Sequence, residues 1–395
     1  MNRNLWLLAL CQGLFLTNNI SFTAINGLVG LSMAPRGWMA TLPIMGYVVG
    51  GALATGIVTR TQLRFGRRGS FQIGLAVALG STLLCALAVA LHSFWLLCAA
   101  TVVAGYYSAN AQLYRFAAAE VVTPEWREKA VSLVMAGGLI GAVIGPNLAK
   151  YTRDVLPVPF AGVYLGLAAA ALVGMALMHF VAFSALPPHK AAQVQARPLG
   201  MIARQPAFIT AVMACALGYG VMSLLMSATP LAMQVCGLPF ENTALAMEWH
   251  AIGMFAPGFF TGHLIRRFGA LPIMSAGLLF NLACIAVALA GLDLHHFAVA
   301  LFLLGVGWNF LFTGGTTLAL TTFTPEEKDR AQGVLNFWVF AVQAVTSFSS
   351  GALVTTQGWQ LLNCGSLVPV GLMGLALLWL AVTRRTVSAA SESDA

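Results

Sequence analysis

Thr61-Gln62-Leu63-Arg64-Phe65-Gly66-Arg67-Arg68-Gly69 is a short basic run between two apolar stretches, roughly 37–59 and 70–90. About 200 residues later Arg267-Phe268-Gly269 stands between two more apolar stretches, roughly 241–264 and 271–291. A second pair keeps the same offset. Thr123-Pro124-Glu125-Trp126-Arg127-Glu128-Lys129-Ala130 returns as Thr324-Pro325-Glu326-Glu327-Lys328-Asp329-Arg330-Ala331. Two independent matches at one offset, both in polar breaks, imply a duplicated unit.

Composition says what kind of unit it is. Of 395 residues, 59% are hydrophobic and 8% charged, where a soluble domain carries about 25% charged residues. Apolar runs near 20 residues recur from end to end, the length an α-helix needs to cross a bilayer. Twelve are expected: 4–30, 37–59, 70–90, 93–118, 129–150, 159–184, 207–233, 241–264, 271–291, 295–320, 331–354 and 358–383. The predicted fold is an all-α membrane protein of twelve transmembrane helices in two six-helix pseudo-symmetric halves. The expected divisions are an N-terminal bundle at 1–185, a solvated cytoplasmic linker at 186–205, a C-terminal bundle at 206–385 and a disordered tail at 386–395.

The net charge of +8 is a topology signal and not a nucleic-acid one. Cytoplasmic loops carry the excess of Lys and Arg. With the N-terminus inside, Arg3, Arg60, Arg64, Arg67, Arg68, Arg127, Lys129, Lys190, Arg197, Arg204, Arg266, Arg267, Lys328, Arg330, Arg384 and Arg385 are all cytoplasmic. Only Arg36, Lys150 and Arg153 fall outside, and Arg115 lies within a segment. Both termini are therefore expected in the cytoplasm of a multi-pass protein of the bacterial inner membrane, acting as a monomer. The seven cysteines form no CxxC pair, which suggests neither a disulfide framework nor a zinc site. With no nucleophile–base set, phosphate loop or soluble domain, the chain is not expected to be an enzyme or to hold a cofactor.

The duplicated 6+6 pattern and the Thr61–Gly69 run resemble the major facilitator superfamily of transporters, along the whole chain. The run departs from that superfamily's signature in lacking its Asp. The resemblance implies alternating access: the halves rock about a site near the bilayer midplane. It also gives Arg64, Gly66, Arg67, Arg267 and Gly269 the role of gate loops. Gly141-Ala-Val-Ile-Gly145-Pro146 resembles the front of an antiporter motif without its trailing glycines. Small residues at this spacing also serve close helix packing, and that reading is preferred.

Cargo is the harder question. Met222-x-x-x-Met226 in segment 7 and His250-x-x-x-Met254 in segment 8 each place two side chains on one helix face. Counting rise per residue puts Met222 about 15 Å, His250 about 13 Å and Met254 about 19 Å below the outer helix ends. Thioethers and imidazole suit copper, above all Cu(I). The pattern resembles copper importers of the CcoA type within the superfamily. That implies Met222 and His250 as essential ligands, with Met226 and Met254 supporting. Protonation of His250 would expel the metal, and His250 or Glu248 would couple protons. The same wider family includes riboflavin transporters. Asn18, Asn19, Asn26, Tyr106, Tyr107, Asn110, Gln112, Trp249, Trp308, Asn309, Asn336, Trp338 and Gln343 offer a polar, aromatic lining for a planar organic solute. Copper import is the leading expectation and import of a solute such as riboflavin the alternative; a drug or metabolite exporter comes third.

Overall fold

The computed structural model describes residues 3–123, 126–183, 197–324 and 327–393. Pro124, Glu125, Pro325, Glu326, most of the expected linker and the last two residues lie outside the described residues. Helix α1 (Arg3–Met33) is followed by a 3-10 turn (Gly37–Met39) and α2 (Leu42–Ala90). Then come α3 (Phe94–Ala111), α4 (Tyr114–Glu120), α5 (Arg127–Ala136), α6 (Gly138–Thr152) and α7 (Ala161–His179). The second half runs through α8 (Leu199–Ala203), α9 (Pro206–Val235), α10 (Phe240–Phe255), α11 (Gly258–Phe268), α12 (Ala270–Ala290), α13 (Leu294–Leu320), α14 (Lys328–Thr356) and α15 (Gly358–Ser393).

Among the described residues, nine helical stretches are long and apolar enough to cross a membrane. The stretch ending at Ala90 contains two of the expected segments. The remaining two, segments 4 and 8, are broken helices: α3 with α4, and α10 with α11. Segment 8 breaks at Pro257 because proline has no N–H and clashes with the preceding turn. Asn309 splints the break, its Nδ2 donating to the Met254 carbonyl at 2.7 Å and its Oδ1 accepting from Thr261 Oγ1 at 2.7 Å. Twelve spans in two halves of six therefore hold.

The duplication is visible in backbone geometry. Gly66 has φ 70°, ψ 177°, and Gly269 has φ 87°, ψ 163°. Those angles are closed to residues with a Cβ, so the same turn reverses the chain in each half. Arg64 lies over the Phe65 ring at 5.2 Å, and Arg267 over Phe268 at 5.2 Å. The helix crossings repeat too. A Cβ on Gly50 would come within 2.0 Å of the Val102 carbonyl, and one on Gly253 within 2.5 Å of the Phe302 carbonyl. The partners Gly105 and Gly305 are equally tight. Small residues let membrane helices meet backbone to backbone. Gly141 serves likewise against α1, its Cβ position 2.5 Å from the Gly13 carbonyl, which accounts for the partial antiporter-like motif by packing.

The two halves differ at their basic ends. Arg67 binds Glu120 at the end of α4, Nε to Oε2 at 3.0 Å, and also Gln62. In the second half the carboxylate is Glu327, which is buried. Its Oε1 accepts from Arg197 Nε at 2.8 Å and from the Arg197 backbone N–H at 2.9 Å, and its Oε2 from Arg197 Nη2 at 2.7 Å. The Thr324 N–H adds a bond at 3.0 Å. The Arg197 guanidinium, with these N–H groups, holds the Glu327 carboxyl down at about 2. The end of the expected solvated linker is therefore docked on the C-terminal half, with Ile202 of α8 packed against Phe208 and Ala331. At the C-terminus, α15 stays helical through Ser393, where a disordered tail was expected from 386. No Gly or Pro follows Gly374 to stop it.

Candidate functional site

A cavity lies on the seam between the halves. The N-terminal half lines it with Leu16, Asn19, Ile20 and Thr23 of α1, Ile44, Tyr47, Val48 and Gly51 of α2, Ser108 of α3, and Gln112 just after it. The C-terminal half contributes Tyr219, Met222, Ser223, Met226 and Ser227 of α9, Met254 and Phe255 of α10, and Phe340, Gln343 and Ser347 of α14. It holds about 740 Å³ of empty space counting the part open to solvent. None of the lining side chains is charged, and none is His or Cys.

One end of the molecule is sealed. Thr41 Oγ1 donates to the Phe348 carbonyl at 3.2 Å and accepts from the Gly351 N–H at 3.1 Å. Arg153 of the first half sits over Phe240 of the second at 5.1 Å and over Phe160 at 5.0 Å. Asn147 Nδ2 donates to Glu248 Oε2 at 3.1 Å. Apart from Arg153 on Phe160, these contacts join the halves at the end away from the Arg64 and Arg267 loops.

The predicted ligand residues divide. Met222, Met226 and Met254 come together on the cavity. His250 does not line it. Its ring is fully buried, 0% exposed, and faces α13, where Nδ1–H donates to the Leu301 carbonyl at 2.8 Å. A carbonyl only accepts, so the proton is on Nδ1. The tight Gly253–Gly305 crossing presses α10 onto α13 at this point. Glu248, on the same helix, turns instead to Asn147 of α6. The two groups expected to couple protons thus sit on different faces of α10. Among the described residues no group of three or more His, Cys, Asp or Glu could hold a metal ion.

Of the residues proposed to line an organic-solute cavity, Asn19, Gln112 and Gln343 do so, with Asn19 Nδ2 donating to Tyr47 Oη at 3.3 Å. Trp308 stands behind the wall, stacked on Phe312 at 5.2 Å and in edge contact with Tyr219 and Phe255. Tyr47, Tyr219, Ser223, Ser227, Phe255, Phe340 and Ser347 were not singled out from sequence. Single hydroxyls and rings inside apolar helices carry no spacing signal; only which face meets the seam selects them.

Comparison with known proteins agrees with this geometry. The family model for the Major Facilitator Superfamily matches residues 5–284 and 243–395. The chain is 36% identical over 363 residues to the riboflavin transporter RfnT of Brucella anthropi, covering 91% of each. It is 26% identical to the uncharacterized MFS-type transporter YddS of Bacillus subtilis, over 90% of this chain and 85% of that one. Among solved structures, the nucleoside transporter NupG superposes with TM-score 0.76 at 11% identity, covering 95% of this chain and 99% of NupG. An inward-facing, occupied bacterial homolog of the human lysosomal transporter Spinster gives 0.70 at 14%, covering 97% and 96%. This chain belongs to the Major Facilitator Superfamily.

Proposed function

We propose that the chain carries riboflavin, or a flavin of the same uncharged ring-and-polyol chemistry, into the cell by alternating access. The observation that carries this reading is the cavity on the seam: ten residues from each half, among them four aromatic and eight other hydroxyl- or amide-bearing ones set in an apolar wall, with no charged side chain. A planar heteroaromatic ring stacks on aromatic faces, and amides offer paired donors and acceptors to its polar edge. An uncharged lining imposes no requirement for a counter-charge on the cargo. The relationship to RfnT supports the same cargo. The charge count supports cytoplasmic termini, which puts the arginine loops on the cytoplasmic side. The rocking then alternates the Thr41, Glu248 and Arg153 contacts with closure at the arginine loops.

Copper is retained as the second reading because three thioethers share the cavity. Without His250 that set is three thioethers, soft ligands that suit Cu(I), with no imidazole beside them. The test is uptake in cells that cannot make riboflavin and lack their own carrier. Protein-dependent riboflavin uptake, insensitive to added copper, is expected. Copper uptake that depends on Met222 and Met226, with no riboflavin uptake, would reverse the order of the two readings.

A further inference from the structure

Thirteen wholly buried side-chain polar atoms among the described residues have no hydrogen-bond partner. One of them, Ser227 Oγ, belongs to a residue that also lines the cavity. Ser227 is 1% exposed. A buried serine in a helix ordinarily bonds back to a carbonyl one turn earlier. Thr229, two residues on, does so, donating to the Leu225 carbonyl at 2.7 Å. The neighbouring hydroxyls are engaged as well: Ser223 and Ser347 pair at 2.8 Å, and Thr23 donates to the Asn19 carbonyl at 3.1 Å. Ser227 alone among these lining residues has a buried hydroxyl without a partner. An unmade hydrogen bond on a buried hydroxyl costs free energy that only a ligand or water in the cavity can offset.

Position along α9 says which part of a ligand it meets. Tyr219, with Phe255 and the Trp308 stack behind it, forms the aromatic end. Ser227 lies eight residues further toward the sealed end, about 12 Å along the helix, among the Ser and Thr hydroxyls. We propose that Ser227 is a specificity-determining contact whose hydroxyl hydrogen-bonds the hydroxylated chain of the substrate, while the ring stacks at the aromatic end. This rests on the flavin reading above. A site built to bond a hydroxyl discriminates strongly against an analogue lacking it.

The test compares two competitors of labelled riboflavin uptake in whole cells at matched membrane levels. One is riboflavin and the other lumiflavin, which keeps the ring and lacks the polyol chain. In Ser227→Ala the half-inhibiting concentration of riboflavin should rise roughly tenfold, the loss of one net hydrogen bond, with that of lumiflavin unchanged. The unfolding temperature should hold or rise, because an unpaired buried hydroxyl has been removed. If Ser227→Ala does not reach the membrane, Ser227→Cys, slightly larger and a weaker donor, is read by the same ratio. An unchanged ratio of the two competitors, or equal weakening of both, overturns the role of Ser227 and leaves the flavin reading standing. Absence of riboflavin uptake by the unaltered chain overturns both.

Discussion

His250 shows how a residue's chemistry and its role part company. In the sequence it is an imidazole four residues from a thioether, near membrane mid-depth, and the metal reading follows from residue type and spacing. What spacing does not give is rotation of the helix about its own axis. The Gly253–Gly305 crossing fixes that rotation, and it turns the His250 ring onto α13 and away from the cargo. Replacing His250 with Ala should therefore remove packing and one buried hydrogen bond, lowering stability by about 2–4 kcal/mol. It should leave riboflavin affinity within a few-fold at matched protein levels. Thermal unfolding in detergent beside uptake checks this; loss of transport at unchanged stability would put the imidazole back among the cargo ligands. Met222, Met226 and Met254 do share the cavity, so spacing located them on one seam. Ser227 was illegible because one serine in an apolar helix is indistinguishable from a packing residue until its partner is seen to be missing.

At the scale of elements, the sequence was most legible where a local rule leaves little choice. The two Arg-Phe-Gly turns marked the duplication, and both adopt the left-handed glycine conformation such a reversal requires. Lengths of apolar runs located the spans. Breaks inside spans were harder, because Pro257 reads as a membrane-helix proline until Asn309 is found splinting the gap. The glycine crossings set the register of α2 on α3 and of α10 on α13. Gly50→Ala should cost about 1–3 kcal/mol, since its Cβ would meet the Val102 backbone, which cannot step aside. Gly56→Ala, six residues on, meets nothing within 4 Å and should be neutral or mildly stabilising. Unfolding temperatures of the pair separate close approach from helix propensity, and equal effects would contradict the crossing.

The whole molecule shows an asymmetry that its repeat conceals. The first half closes its basic end internally through Arg67 and Glu120, whereas the second recruits Arg197 from the inter-half segment to Glu327. Because the folded carboxyl lies below its ordinary value of 4.5, this clasp contributes stability above that pH. The contribution is lost as pH falls from there toward about 2. Glu327→Gln should lie below the parent in unfolding temperature at neutral pH, and the gap should close across that acid window. A gap constant with pH would contradict the clasp. Paired halves, a sealed far end and an uncharged seam cavity together support the proposed cargo, a neutral ring with a hydroxylated chain. The most direct measurement is a fluorescence titration of riboflavin with the purified protein, because stacking on aromatic side chains quenches flavin emission. Saturable quenching that Tyr219→Ala weakens and Cu(I) leaves untouched is the predicted result. Riboflavin emission unaffected by the protein, beside stoichiometric Cu(I) binding lost in Met222→Ala, would contradict it.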